Sequence, residues 1–256
     1  MKKKTRWWMV GILLLLLLLL LVGAFFLFFR KPQKEYFVRP EPTASSASAS
    51  TTETYQSPVD FKSLQKKNAD VYAWLDIPKT DISYPLFQHP TDDAYYLHRN
   101  IEKEYEFRGV LFTEATYNKR DFSDPLTIVY GHCMNNGDMF GTLQKEYGSD
   151  DLLAEHSEIV VYLPDRELHY TVFAATPYDS RHILYNYDFH NKRIFRLFFE
   201  DIVSTREIQS AFAEDTIVSP EDKTLILSTC LIGNRNKRFL VCGKLVQTIP
   251  SDLNIE

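Results

Sequence analysis

Residues 225–243 read LILSTCLIGNRNKRFLVCG: two apolar runs joined by a polar loop, with the thiol of Cys230 ending the first and Arg238 opening the second eight residues later. Leu225 to Thr229 and Phe239 to Val246 have the length and branched, apolar composition of β-strands. The pair therefore predicts a thiol at the exit of one strand and a guanidinium at the entry of the next, with LIGNRNK as the loop between them.

Outward from this pair, strand signals recur at Leu75 to Ile77, Ile82 to Phe87, Gly109 to Phe112, Leu126 to Tyr130, Ile159 to Leu163 and Leu168 to Ala174. Many short strands and few helices predict a mostly β fold, a closed or nearly closed barrel of about eight strands. Helical signals interrupt it. Within VDFKSLQKKNADVYA (59–73) one or two short helices are expected, and Asp138 is placed to cap a helix carrying Met139, Phe140 and Leu143, stopped by Gly148. A longer insertion follows Thr176. There Ile194, Phe195, Leu197, Phe198 and Ile202 have the spacing of a buried helical face, and Ser204 with Glu207 forms a capping box for a further helix.

The N-terminus predicts a membrane anchor. After Lys2, Lys3, Lys4 and Arg6 the chain runs uncharged from Trp7 to Phe29, with leucine at every position from 13 to 21. A helix of that length, at about 1.5 Å per residue, spans a hydrocarbon core of about 30 Å. No A-x-A-like cleavage site follows, so the segment reads as a retained anchor, and the leading cations place the N-terminus in the cytoplasm. PEPTASSASASTTETYQSP (40–58) is too polar to bury a core and reads as a tether. The expected organisation is a tail at 1–6, an anchor at 7–29, a linker at 30–58, one extracytoplasmic domain at 59–250 and a tail at 251–256.

Charge and cysteine content narrow the chemistry. The chain has 29 basic and 34 acidic residues; seven of the bases and none of the acids fall in the first 34 residues, leaving 22 − 34 = −12 beyond them. Such a domain does not bind nucleic acid through its net field. Three cysteines, Cys133, Cys230 and Cys242, are too few and too odd in number for a disulfide framework in an exported domain. No metal-binding spacing is present, and no cofactor is implied. Cys242 lies inside an apolar strand and reads as packing, while a redox link between Cys133 and Cys230 stands as a hypothesis.

The groups that nucleophilic chemistry needs all fall at strand ends. Leu126 to Tyr130 runs into GHCMNNGDMFG, where Gly131 loosens the backbone and His132 emerges; Cys230 and Arg238 follow the same pattern. A free thiol is only a few per cent thiolate at neutral pH, and nearby cations raise that fraction. An imidazole can hand a proton to a leaving amine and take one back. Arginine holds its proton throughout the physiological range, so it suits an oxyanion better than an acid's role.

These residues, in this order, resemble the sortase family of membrane-anchored cysteine transpeptidases. DVYAWLDIPKTDISYPLFQ (70–88), DDAYYLHRNI (92–101), TIVYGHCMNNGDMFGTL (127–143) and LSTC (227–230) followed by RFLVCGKL (238–245) look most like class B, as does the long insertion before the cysteine strand. The resemblance implies that Cys230 attacks the Thr carbonyl of a C-terminal sorting motif, that His132 protonates the leaving amine and deprotonates the incoming one, and that Arg238 holds the oxyanion. Ser228 and Thr229 would line the substrate groove, with Thr229 equally well a plain strand residue. The partners implied are sorting-motif surface proteins and the amine of a lipid II-like peptidoglycan precursor, met just outside the membrane. A pilin-polymerising enzyme with a lysine acceptor, a cysteine peptidase resolved by water and a non-catalytic wall-protein scaffold remain alternatives.

Overall fold

A computed structural model describes residues 12–18, 20, 38–40, 55–214 and 217–250. The chain divides into two units, Met1–Val38 and Arg39–Glu256. In the first, residues 12–18 and 20 are helical and exposed; the rest of the expected anchor, the tail at 1–6 and the tail at 251–256 lie outside the described residues. Among the described residues, no helix is long and apolar enough to cross a membrane.

Strands of the second unit close on themselves. The order is β5 (Glu158–Tyr162), β1 (Val71–Asp76), β2 (Ser83–Phe87), β3 (Leu111–Phe112), β4 (Leu126–Tyr130), β8 (Thr224–Leu231), β9 (Asn234–Ile249) and β6 (Glu167–Asp179). Pairing of β5 with β6 completes an eight-strand barrel, and the two-residue β7 (Ala211–Phe212) lies against β6 as a ninth strand. The pairs β2–β3 and β4–β8 are parallel.

Alternation along the strands separates two apolar layers. Val129 of β4, Leu225 and Leu227 of β8, and Phe239 and Val241 of β9 belong to one cluster, inside the barrel. Their neighbours Ile128, Ile226, Leu240 and Cys242 belong to a second, outside it, under the helix Lys192–Ser204. That helix starts at Asn191, whose side chain accepts from Arg193 N and Ile194 N, and it buries Phe195, Phe198, Phe199 and Ile202. Covering four such side chains contributes roughly 6–12 kcal/mol as an upper bound. The expected face is thus corrected at one position: Leu197 is 50% exposed, and Phe199 takes the inward place at the 195, 198, 199, 202 spacing.

Other boundaries also moved. In 59–73 only Phe61–Lys67 is helical, capped by Asp60; the chain is a strand from Val71 because all six residues of β1 are buried, which erases the alternation that would have revealed it. Asp138 does not cap a helix. Its carboxylate accepts from Arg108 Nη1 at 3.2 Å and Asn136 Nδ2 at 3.0 Å across a turn, and the helix that follows is Leu143–Glu146, with Thr142 at its N-cap position but no side-chain cap. A further helix, Asp150–Glu155, is capped by Ser149. The capping box at Ser204 is absent: the helix ends there, Ser204 Oγ donates to Asp201 O, and Glu207 instead takes Lys237 Nζ at 2.8 Å. β6 runs on to Asp179, so the insertion begins after that residue rather than after Thr176. Within the stretch read as a linker, Arg39 donates to Asp76 Oδ1 at 2.7 Å and to Thr80 O at 2.6 Å.

Candidate active site

Register brings the reactive groups together. Cys230 on β8 and Arg238 on β9 are direct cross-strand partners, so both side chains emerge on the same face, continuing the outer layer set by Ile226 and Leu240. Arg238 Nη1 lies 3.8 Å from Cys230 Sγ and also donates to the carbonyls of Arg235 at 3.2 Å and Lys237 at 3.4 Å. Arg238 is not at the entry of its strand, as its sequence position suggests. β9 already begins at Asn234, paired with Leu231, and the intervening residues 235–237 have no partner on β8. The carbonyls of Arg235 and Lys237 are what hold the guanidinium in place.

His132 arrives from the neighbouring parallel strand. Tyr130 pairs with Ser228, and Gly131 N donates to Ser228 O at 3.2 Å, carrying the ladder one step beyond β4. The glycine is required by space rather than by an unusual backbone angle, since a Cβ at Gly131 would run into the side chains of Leu111 and Phe140. His132 Nε2 donates to Leu97 O at 2.9 Å. A carbonyl can only accept, so the neutral ring carries its proton on Nε2 and leaves Nδ1 free for proton transfer. Burial pulls this imidazole below the usual histidine range; the Leu97 carbonyl opposes the shift, and the adjacent His98 adds to it.

Leu97 belongs to the 3-10 turn Tyr95–His98, which is packed tightly against the entry to β3. Gly109, with φ +56, passes so close to the carbonyls of Tyr96 and Leu97 that no side chain fits there. The acceptor for His132 is thereby fixed from behind.

One cleft is lined by His132, Cys230, Arg238, Ser228 and Thr229, together with Leu97, Phe112, Tyr130, Gly131 and residues 180–183 of the insertion. Ser228 is on the Cys230 face. Thr229 alternates to the barrel side, where its hydroxyl is buried without a hydrogen-bond partner, so that hydroxyl is not offered to the cleft. The far wall is pinned by His182: its Nδ1 accepts from Tyr185 N at 3.1 Å and its Nε2 donates to Glu114 Oε1 at 2.9 Å.

Gln144 had no sequence signal and proves central. Its Nε2 donates to Cys230 O at 3.3 Å and to Cys133 Sγ at 3.7 Å, while its Oε1 accepts from Ile232 N at 2.9 Å. A side-chain amide thus completes the hydrogen bonding of β8 just beyond the thiol. Cys133, Cys230 and Cys242 are all free. Burial pushes the Cys133 thiol up, with the neighbouring Cys230 adding to the shift, and burial alone pushes up that of Cys242.

Comparison with known proteins agrees with this geometry. A family model described as "Sortase domain" matches residues 75–246. Sortase B of Listeria monocytogenes is 32% identical over 189 residues, covering 73% of this chain and 74% of that protein. The crystal structure of sortase B from Bacillus anthracis in complex with AAEK1 superimposes with a TM-score of 0.64 at 28% identity, over 76% of this chain and 89% of that one. A Streptococcus pyogenes class B sortase involved in pilus biogenesis gives 0.61 at 26% identity, over 73% and 98%. A thiol, an imidazole and a guanidinium converge on one cleft of an eight-strand barrel that shares these matches over most of its length, and the chain belongs to the sortase family.

Proposed function

We propose that this sortase transpeptidase cleaves a C-terminal sorting motif after its threonine and joins the surface protein to an amine of a cell-wall precursor. His132 Nδ1 takes the Cys230 thiol proton, and Cys230 Sγ attacks the threonine carbonyl carbon as the thiolate; the C–N bond breaks, and the departing amine takes that proton from His132. An incoming amine then returns a proton to His132 as it attacks the thioester, and the C–S bond breaks to release the thiolate. Arg238 stabilises the negative oxygen in both tetrahedral steps. Ser228, on the same face, lines the path of the motif.

The observation that carries this reading is the cross-strand pairing of Cys230 with Arg238 and the 3.8 Å separation of their reactive atoms, in a cleft that His132 also lines. We further assign residues 7–29 as a single membrane-spanning anchor, with the N-terminus in the cytoplasm and the catalytic domain outside. Donor and acceptor then meet the enzyme at the membrane surface.

Incubating the protein with a panel of sorting-motif peptides, with and without amines, tests the chemistry by intact mass. An adduct on Cys230 that converts into an amine-linked product is expected. Release of cleaved peptide without amine dependence would favour a peptidase, and no adduct on an unreactive Cys230 would refute the catalytic reading. A second reading, pilin polymerisation on a lysine acceptor, is favoured by the likeness to the Streptococcus pyogenes enzyme involved in pilus biogenesis. Preference for a pilin-lysine peptide over cell-wall-type amines would decide for it.

A further inference from the structure

The side of the cleft that holds His132 is built from rings that the proposed chemistry does not use. His98 stacks on His132 with centroids 5.0 Å apart and planes 21° from parallel. Phe107 stacks on the same imidazole at 5.6 Å and 16°, and on His98 at 5.6 Å and 20°. His98 Nδ1 donates to Phe107 O at 2.9 Å, tying one ring to the backbone of the other. The connecting segment is itself bonded: Glu106 N donates to His98 O and Gly109 N to Glu106 O, each at 3.0 Å.

We propose that His98, braced by Phe107, is a positioning residue for His132: the two rings hold the imidazole plane on the Leu97 carbonyl so that Nδ1 faces the reacting amine. The proposal rests on the transpeptidase reading for its effect on rate, but not for its effect on the ring. His132 has one hydrogen bond to a fixed acceptor, which leaves rotation about that bond unrestrained. Near-parallel rings at these separations restrict it.

The pairing also bears, after burial and the Leu97 carbonyl, on when His132 carries its proton. The charged and titratable groups that line its cleft are Tyr130 from β4, Cys230 and Arg238 from β8 and β9, and Arg181 and His182 from the insertion. His98, on the 3-10 turn, is the titratable group among the described residues that is in ring contact with it. A positive charge on His98 opposes one on His132, in the same direction as burial. The clamp therefore trades ease of protonation for a fixed orientation.

Two substitutions separate these effects in the full chain, solubilised in mild detergent. His98→Phe keeps a ring and removes the charge, whereas His98→Ala removes both. The His132 titration, followed by NMR of labelled histidine without substrate, is expected to move to higher pH in both variants. Single-turnover acyl transfer should fall about tenfold in His98→Ala, with KM for the donor peptide within about twofold, and remain near the parent rate in His98→Phe. A His132 titration unmoved in both variants would overturn the proposal, as would an equal rate loss in the two. Because the titration needs no substrate, it stands or falls separately from the transpeptidase reading, and folded His98→Phe covers the case in which His98→Ala fails to fold.

Discussion

Gln144→Leu is the perturbation that most directly tests how the thiol is held. The side chain is buried, 7% exposed, and its amide serves Cys230 O, Cys133 Sγ and Ile232 N at 3.3, 3.7 and 2.9 Å. Leucine preserves most of the volume, so little of the loss comes from a cavity. It leaves one backbone carbonyl and one backbone N–H without their partner, and each such group costs about 1–3 kcal/mol when buried. Both flank a half-buried strand end that water can partly reach, so the lower bound applies, and a total of roughly 2 kcal/mol is expected. The same peptide groups set the direction of Cys230, so acylation should slow by about ten- to a hundredfold. Urea denaturation gives the first quantity and single-turnover acylation with a donor peptide the second. Adding Cys133→Ala to the substitution isolates the thiol contact, which should contribute little. A stability loss below about 0.5 kcal/mol together with parent-like acylation would refute the reasoning, because a solvated strand end would then position the nucleophile equally well.

Arg238→Ala should lower acyl transfer by about a hundred- to a thousandfold while Cys230 still reacts with a small alkylating probe, and Arg238→Lys should recover only part of the loss because an ammonium is a compact charge without the guanidinium's fixed planar fork of donors. Steady-state rates and alkylation kinetics check both. Phe198→Ala should destabilise the domain by about 3–5 kcal/mol, since the ring meets Phe189 at 5.0 Å, Phe199 at 5.2 Å and Tyr187 at 5.3 Å; denaturant unfolding measures it. His169 donates between Glu158 and Glu167, and the bond to Glu167 leads in raising its pKa above the usual histidine range. The folded value therefore exceeds the unfolded one, so this stabilisation is complete below about pH 6.5 and is lost as pH rises through the raised value. Thermal unfolding across that window should show Tm falling, and His169→Gln should remove that component.

Much of this protein is readable from local pattern. Leu225 to Thr229 and Leu126 to Tyr130 announce themselves as strands because branched apolar residues cluster between polar breaks, and the reactive residues stand where those strands stop. Order and spacing of His132, Cys230 and Arg238 were enough for the family resemblance. What local pattern misplaced has consistent causes. β1 is buried along its whole length, so it shows no alternation. Asp138 has the local pattern of a helix cap, and Arg108, thirty residues away, holds it in a turn instead.

Tertiary structure decided everything that depends on side chains distant in sequence sharing a face. Register set Cys230 opposite Arg238, and strand parity buried the Thr229 hydroxyl where the cleft does not meet it. The roles of the Leu97 carbonyl, His98 and Gln144 have no signal in the sequence, because a carbonyl acts through its position and a stacked ring or a bridging amide through its neighbours. Sequence by itself determined which chemistry the chain can perform, since that follows from residue types and their order along strands. The fold alone determined how the thiol and the imidazole are held and how the imidazole is protonated, since those depend on contacts that no short stretch of chain contains.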